Sequence, residues 1–104
     1  MTEQFEDLVK EVINKGILVT EATMVGDSIA FAVDGFSKSG TALIYEKDGK
    51  IYSKTRYETI NEITSFKDLA RIAFEWNNNY IEREPFTQYD SNWKPYFEEY
   101  GWIH

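Results

Sequence analysis

The chain has 104 residues, a formal net charge of −7, no cysteine and a single histidine. This length fits one domain that buries a core without metal or disulfide support, and the lack of cysteine excludes disulfides, thiol nucleophiles and thiolate metal sites. The 42% hydrophobic and 16% aromatic content favours a folded protein. No segment has the length and apolarity of a membrane span, and no basic-then-apolar leader precedes the first helix. We therefore expect a cytoplasmic protein that consists of one domain.

The first predicted element is an amphipathic helix over Glu3 to Asn14. Thr2 is suited to cap its start, and Gly16 is suited to end it in a left-handed conformation. Its apolar residues recur at helical spacing and predict one buried stripe: Phe5, Leu8, Val9, Val12 and Ile13.

Four strands are predicted next. The first runs from Ile17 to Val25, and the second is the alternating segment from Ser28 to Asp34. The third and fourth form a β-hairpin over Gly40 to Tyr57. Its turn is Asp48-Gly49, because a type I′ turn requires positive φ at both central residues and these two residue types tolerate it.

A second helix follows the strands. Residues 59–63 are interpreted as a continuation of the fourth strand. Ser65 is a suitable N-cap for a long helix that begins at Phe66. Asp68 lies three residues later, where a carboxylate can accept a hydrogen bond from the backbone N–H of the cap residue. The wide apolar face of this helix predicts deep burial and contains Leu69, Ala70, Ile72, Ala73, Phe74 and Trp76.

The tail from Pro85 to His104 is short and rich in aromatic rings. Pro95 fits the first turn of a short helix, Gly101 fits its left-handed end, and Trp102 is placed to fold back on Phe97. We expect this tail to close over the core, with a docking site for a partner as the alternative. The elements together predict an α+β domain: an N-terminal helix, a four-stranded antiparallel meander, a long helix packed on one face and a short C-terminal helix.

The two-residue turn fixes a register that gathers cations and rings on one side of the hairpin. We call this set the hairpin face; it consists of Tyr45, Lys47, Lys50, Tyr52, Lys54 and Arg56. Residues 47–56 hold four cations and one carboxylate, a local charge of +3, so the remainder of the chain carries −10. Such a face can stack bases and neutralise phosphates, or bind a small anion or an acidic protein. Alternatively, the hairpin face has no binding role. Tyr45 and Tyr52 are then simply a cross-strand aromatic pair over part of the core, with lysines at its rim.

Carboxylates and rings near the C-terminus suggest a second kind of surface. We call this set the acidic surface; it consists of Glu82, Glu84, Asp90, Trp93, Glu98, Glu99 and Trp102. A surface of this kind can bind a protein partner or imitate the phosphate spacing of a nucleic acid. Acidic residues also serve solubility alone, so charge by itself does not separate these interpretations.

Groups for catalysis are scarce. The only histidine is His104, the final residue of the sequence, and together with the absence of cysteine this leaves Ser-His and Cys-His pairs unsupported. A pair of carboxyl groups remains open by composition, because the chain has 18 acidic residues. The sequence has neither a glycine-rich phosphate loop nor a carboxylate loop for a divalent cation. We predict a protein that is not an enzyme and uses no cofactor or metal.

The C-terminal sequence WKPYFEEYGWIH resembles, together with the small size, acidity and aromatic content of the chain, many small uncharacterised proteins of bacteriophages. The resemblance contains no family motif and assigns no functional residue. It implies a non-enzymatic protein that binds and modulates a host factor. We therefore expect stoichiometric binding to a protein partner, as an inhibitor or modulator of a cellular or defence factor. The alternatives are binding of a nucleotide or single-stranded nucleic acid through the hairpin face, and self-association as a structural protein.

Overall fold

A computed structural model of the protein describes residues 2–17, 19–25, 28–37, 40–55, 60–80 and 93–102. The elements in chain order are α1 (Glu3–Asn14), β1 (Val19–Val25), β2 (Ser28–Ser37), β3 (Gly40–Lys47), β4 (Lys50–Thr55), β5 (Ile60–Ile63), α2 (Phe66–Tyr80) and α3 (Lys94–Glu99). The strands form one antiparallel sheet in the order β1-β2-β3-β4-β5. The predicted α+β class is confirmed. No helix in these ranges is long and apolar enough to cross a membrane.

The predicted number of four strands is wrong, because the described residues already form a sheet of five. The continuation expected over residues 59–63 is instead a separate strand, β5, which pairs antiparallel with β4. β3 has few residues left to pair with a longer β4, since β3 begins at Gly40 and Ala42 already lies opposite Thr55. The chain instead reverses direction and β5 pairs with the other edge of β4, where Ile63 is only 1% exposed. The residues between β4 and β5 lie outside the described part of the chain.

The predicted hairpin turn is confirmed. Asp48 and Gly49 have φ values of +53° and +76°, which are the left-handed conformations that a type I′ turn requires. The register is the predicted one from the turn as far as the pair of Leu43 with Lys54. Arg56, which this register pairs with Thr41, lies outside the described residues.

The three helices pack on one face of the sheet and share one core with it. Phe5 of α1 meets Phe31 of β2 edge to face, with ring centroids 5.8 Å apart. Other buried members of this core from the strands are Val33, Phe36, Ala42, Ile44, Ile51 and Ile63, and those from the helices include Leu8, Val12, Phe66, Leu69, Ala70, Ile72, Ala73 and Phe97. The opposite face of β3 and β4 is therefore the one that holds the hairpin face.

The C-terminal helix α3 ends at a glycine, as the sequence predicts. Gly101 has a φ of +80°, and the next N–H, that of Trp102, donates a hydrogen bond of 2.9 Å to the carbonyl oxygen of Phe97. This backward bond is the usual partner of a left-handed helix terminator. Phe97 is fully buried, so the expected closure of the tail over the core is confirmed for residues 93–102. Residues 85–92 lie outside the described part.

Candidate functional site

The hairpin face lies on the exposed side of the sheet. Along β4 the side chains alternate between the core and the opposite side, so that Ile51 and Ser53 are buried while Tyr52 and Lys54 are partly exposed. β3 alternates in the same way, with Ile44 in the core and Tyr45 outside. This alternation follows from the strand geometry, because successive side chains point to opposite faces. The five described members of the hairpin face therefore share one surface.

An aromatic pair forms the centre of this surface. Tyr45 and Tyr52 lie directly opposite each other, and their ring centroids are 5.6 Å apart with an angle of 30° between the ring planes. Both rings are half-buried. Leu43, also half-buried, lies beside them on β3 and opposite the small Ala32 of β2. The centre of the surface therefore consists of two aromatic rings and an aliphatic side chain, and it offers ring surface to a ligand.

Lysines surround the aromatic centre. Lys47 and Lys50 are exposed and directly opposite each other next to the turn. Like charges in this position destabilise a strand pair unless a counter-charge is near. Lys54 is half-buried on β4, and the exposed carboxylate of Glu62 on β5 lies opposite Tyr52. The arrangement suits a ligand that brings carboxylates or phosphates to the turn end of the face and an apolar or aromatic group to its centre.

The acidic surface is described only in part. Glu82, Glu84 and Asp90 lie outside the described residues. Glu98 and Glu99 are exposed on α3, and Glu98 lies 3.8 Å from the ammonium group of Lys94 one turn earlier.

Of the two tryptophans of this set, Trp93 is not the surface residue that was expected, whereas Trp102 folds back on Phe97 as predicted. Trp93 is fully buried and its ring centroid lies 5.4 Å from that of Phe36, so it belongs to the core rather than to a binding surface. Trp102 is half-buried against Phe74 and Phe97. A large ring that fills the space between the sheet and α3 gains more from burial than it does on a surface, which corrects the placement expected for Trp93.

Among the residues that the structure describes, the carboxyl groups of Glu46 and Asp68 have clearly shifted pKa values, and both shifts are downward. A hydrogen bond from the Thr2 hydroxyl, together with one from the Thr2 N–H at 3.1 Å, holds the pKa of Glu46 below its usual value. The Thr64 hydroxyl and the Thr64 N–H, the latter at 2.9 Å, lower the pKa of Asp68 in the same way. Carboxyl groups with lowered pKa values stay ionised near neutral pH and are poor general acids.

A cavity that the sequence did not indicate lies between α1 and the first two strands. We call it the apolar groove; it has a volume of about 360 Å³ and is lined by apolar residues that include Phe5, Val9, Ile13, Ala22, Ile29 and Phe31. Ile13 was expected in the buried stripe of α1 but is 57% exposed. The helical period alone does not show how far a stripe extends beyond the strands beneath it, so periodicity did not reveal this groove.

An acidic cleft of about 380 Å³ lies between α1 and the beginning of α2. Glu3, Asp7 and Glu11 of α1 line one side of it, and residues 64–66 line the other. Among the residues that the structure describes, no three carboxylate or histidine side chains are grouped closely enough to hold a metal ion. His104 lies outside those residues.

Comparisons with protein-family models, with curated proteins and with solved structures found no match for this chain.

Proposed function

We propose that this chain is a non-enzymatic protein that binds a protein partner through the hairpin face and thereby modulates or inhibits that partner. The observation that carries the proposal is the Tyr45–Tyr52 pair in the middle of an exposed sheet face, with exposed lysines at the turn end. Tyrosine is among the residue types that most often contribute a large share of the binding energy of protein interfaces.

Charge indicates what the partner presents. The two opposed lysines, Lys47 and Lys50, gain most from a ligand that places an acidic side chain between them. The apolar centre around Leu43 and the two tyrosines suits an apolar or aromatic side chain of the same segment. We therefore propose an acidic segment with an aromatic or aliphatic anchor as the bound part of the partner.

The acidic surface supports a nucleic-acid mimic less well than the hairpin face supports a protein site. Among its described members only Glu98 and Glu99 present exposed carboxylates, and both belong to one short helix. Two neighbouring carboxylates do not reproduce the extended row of phosphates along a nucleic acid. A mimic remains one form that the proposed inhibition can take, supported by charge alone.

Affinity capture with matched charge variants tests the proposal. The chain is immobilised as wild type, as Lys47→Glu with Lys50→Glu, and as Lys67→Glu with Lys94→Glu. Both variants change the net charge equally, and all four positions are exposed. We expect a saturable protein partner with the wild type and the helix variant, and its loss with the hairpin variant. Equal capture by all three proteins contradicts the hairpin face as the site, and no saturable partner together with turnover of a metabolite contradicts the function.

A second candidate function is binding of a nucleotide or single-stranded nucleic acid through the same face. It is favoured by the ring pair, because bases stack on tyrosine and lysines neutralise phosphates. The remaining charge of the chain opposes it, since the −10 outside residues 47–56 repels a polyanion.

Fluorescence anisotropy with labelled single-stranded oligonucleotides separates the two functions. For a protein-binding face we expect no saturable binding at physiological salt. Saturable binding that is lost in Lys47→Glu with Lys50→Glu, and kept in the helix variant, establishes the nucleic-acid function instead.

A further inference from the structure

The residues of β1 lack the features that usually protect the edge strand of a sheet. β1 is the first strand of the sheet and pairs only with β2, and no described residue pairs with its other edge. Its seven residues, VTEATMV, are mostly β-branched and contain no lysine, arginine or proline. Proteins commonly block exposed edges with such residues or keep the edge strand very short. The other edge strand, β5, has only four residues.

Exposed apolar side chains accompany this edge on the helix side of the sheet. Met24 is 62% exposed, and it is paired with Ile29, which is 40% exposed. Met24 lies on the same face as Ala22, two residues earlier, and Ala22 lines the apolar groove. A strand added beside β1 would therefore pair with the backbone groups of this edge and also cover apolar surface. Backbone pairing and side-chain burial act together in this mode of recognition.

We propose that a second copy of this chain occupies the edge, with the two β1 strands antiparallel and centred on Ala22. In this register Ala22 lies opposite Ala22 of the second copy. Glu21, which is the one charged residue of the strand, lies opposite Thr23 of the second copy. Glu21 then does not lie opposite Glu21 of the second copy. The two strands can therefore pair across a two-fold axis without repulsion between like charges.

Pairing of this kind ends at two chains. It uses the β1 edge of both copies and leaves the short β5 strands at the ends of a continuous sheet. The hairpin face is formed by β3 and β4, so it stays accessible in the dimer. The dimer and the proposed function are independent, and either can fail without the other.

Sedimentation velocity of the complete chain over a range of concentrations tests the dimer. Ala22 and Thr23 are both exposed and adjacent, which gives a matched pair of charge variants. Ala22→Lys places two ammonium groups opposite each other, and we expect the dimer dissociation constant to rise by about fivefold or more. Thr23→Lys places lysine opposite Glu21 of the second copy, and we expect no weakening. An equimolar mixture of Ala22→Lys and Ala22→Glu should restore the dimer.

Cysteine cross-linking gives a second readout in the wild-type background, since the chain has no cysteine of its own. Directly opposed residues of an antiparallel pair have Cα atoms about 4.5–5.5 Å apart, within the range of a disulfide. We expect Ala22→Cys to form a covalent dimer under mild oxidation, whereas Ile60→Cys on β5 does not. A wild-type chain that stays monomeric at every concentration overturns the proposal. So do equal effects of lysine at positions 22 and 23, or equal cross-linking at positions 22 and 60.

Discussion

At the scale of single residues, the turn between β3 and β4 depends on backbone conformation more than on contacts. Gly49 has a φ of +76°, and an added Cβ would meet no atom within 4 Å. The cost of a side chain there is therefore the cost of the left-handed conformation itself. We expect Gly49→Ala to lower the free energy of unfolding by about 1–2 kcal/mol in urea denaturation. Lys50→Ala, at an exposed strand position, is the control and should change it by less than about 0.5 kcal/mol.

The carboxylate of Glu46 links β3 to the start of α1. It accepts hydrogen bonds from Thr2, whose hydroxyl also accepts the N–H of Phe5 at the helix N-terminus, at 3.3 Å. These bonds favour the ionised form and lower the pKa of Glu46 below its usual value of 4.5. The stabilisation is therefore present above that value and is lost as the pH falls through the lowered pKa of the folded state.

Thermal unfolding of Glu46→Gln as a function of pH tests this link. We expect the variant to be less stable than the wild type at neutral pH and the difference to shrink on acidification below pH 4.5, where the wild-type carboxyl group becomes protonated. Asp68, whose pKa is also lowered, titrates in both proteins and cancels in the difference. A difference that stays constant down to the acid transition would show that the charge of Glu46 contributes nothing.

Two hydroxyl groups of β4 are buried without a hydrogen-bond partner. They belong to Ser53 and Thr55, whose side chains point into the core. A buried polar group without a partner costs stability, so its removal at similar volume should be favourable. We expect Thr55→Val to raise the free energy of unfolding by about 1 kcal/mol. The matched change Thr41→Val at an exposed position of β3 should be neutral, and a destabilised Thr55→Val would indicate that the hydroxyl is hydrogen-bonded in solution.

At the scale of elements, α3 is held to the core by rings. Trp93, at its beginning, lies with its ring centroid 6.1 Å from that of Phe66 and 6.3 Å from that of Phe97. The Tyr96 hydroxyl donates a hydrogen bond of 2.6 Å to the carbonyl oxygen of Lys15, which joins α3 to the end of α1. The short helix therefore depends on tertiary contacts rather than on its own length.

Replacement of Trp93 measures how much the packing of α3 against the core contributes to stability. We expect Trp93→Ala to lower the free energy of unfolding by about 3–5 kcal/mol, because a fully buried ring leaves a large cavity. Trp102→Ala, which removes a half-buried ring from the end of the same tail, should cost clearly less. Equal losses in chemical denaturation would contradict the assignment of Trp93 as the principal anchor.

The sequence predicted correctly those elements whose bounds are marked by their own residues, through a cap, an apolar period or a turn. The bounds of α1 follow from its cap, its apolar period and its terminal glycine, and the hairpin register follows from the turn at Asp48 and Gly49. β5 escaped prediction because its four residues carry no turn signal of their own and its place is set by the edge of β4. The burial of Trp93 and the exposure of Ile13 depend on which element lies above each side chain, which no local pattern encodes.

At the scale of the whole molecule, the two faces of the sheet differ in charge and in what packs on them. The helices cover one face of the sheet, and α1 presents Glu3, Asp7 and Glu11 along the acidic cleft. The cationic, aromatic hairpin face lies on the other side of the sheet. Of the candidate site, the sequence predicted the described side chains that share this face and their register, because both follow from strand alternation and one turn. It predicted neither the apolar groove nor the place of β1 at the edge of the sheet, since both depend on how distant elements meet.

The central claim is that the hairpin face is the surface that meets a protein partner. Backbone amide chemical-shift mapping of the labelled chain, titrated with the partner obtained by affinity capture, tests it most directly. We expect the largest shifts along Leu43 to Lys54, with smaller shifts on β5 next to Tyr52. Shifts confined to α1, α2 and α3, with the hairpin unchanged, would contradict the claim.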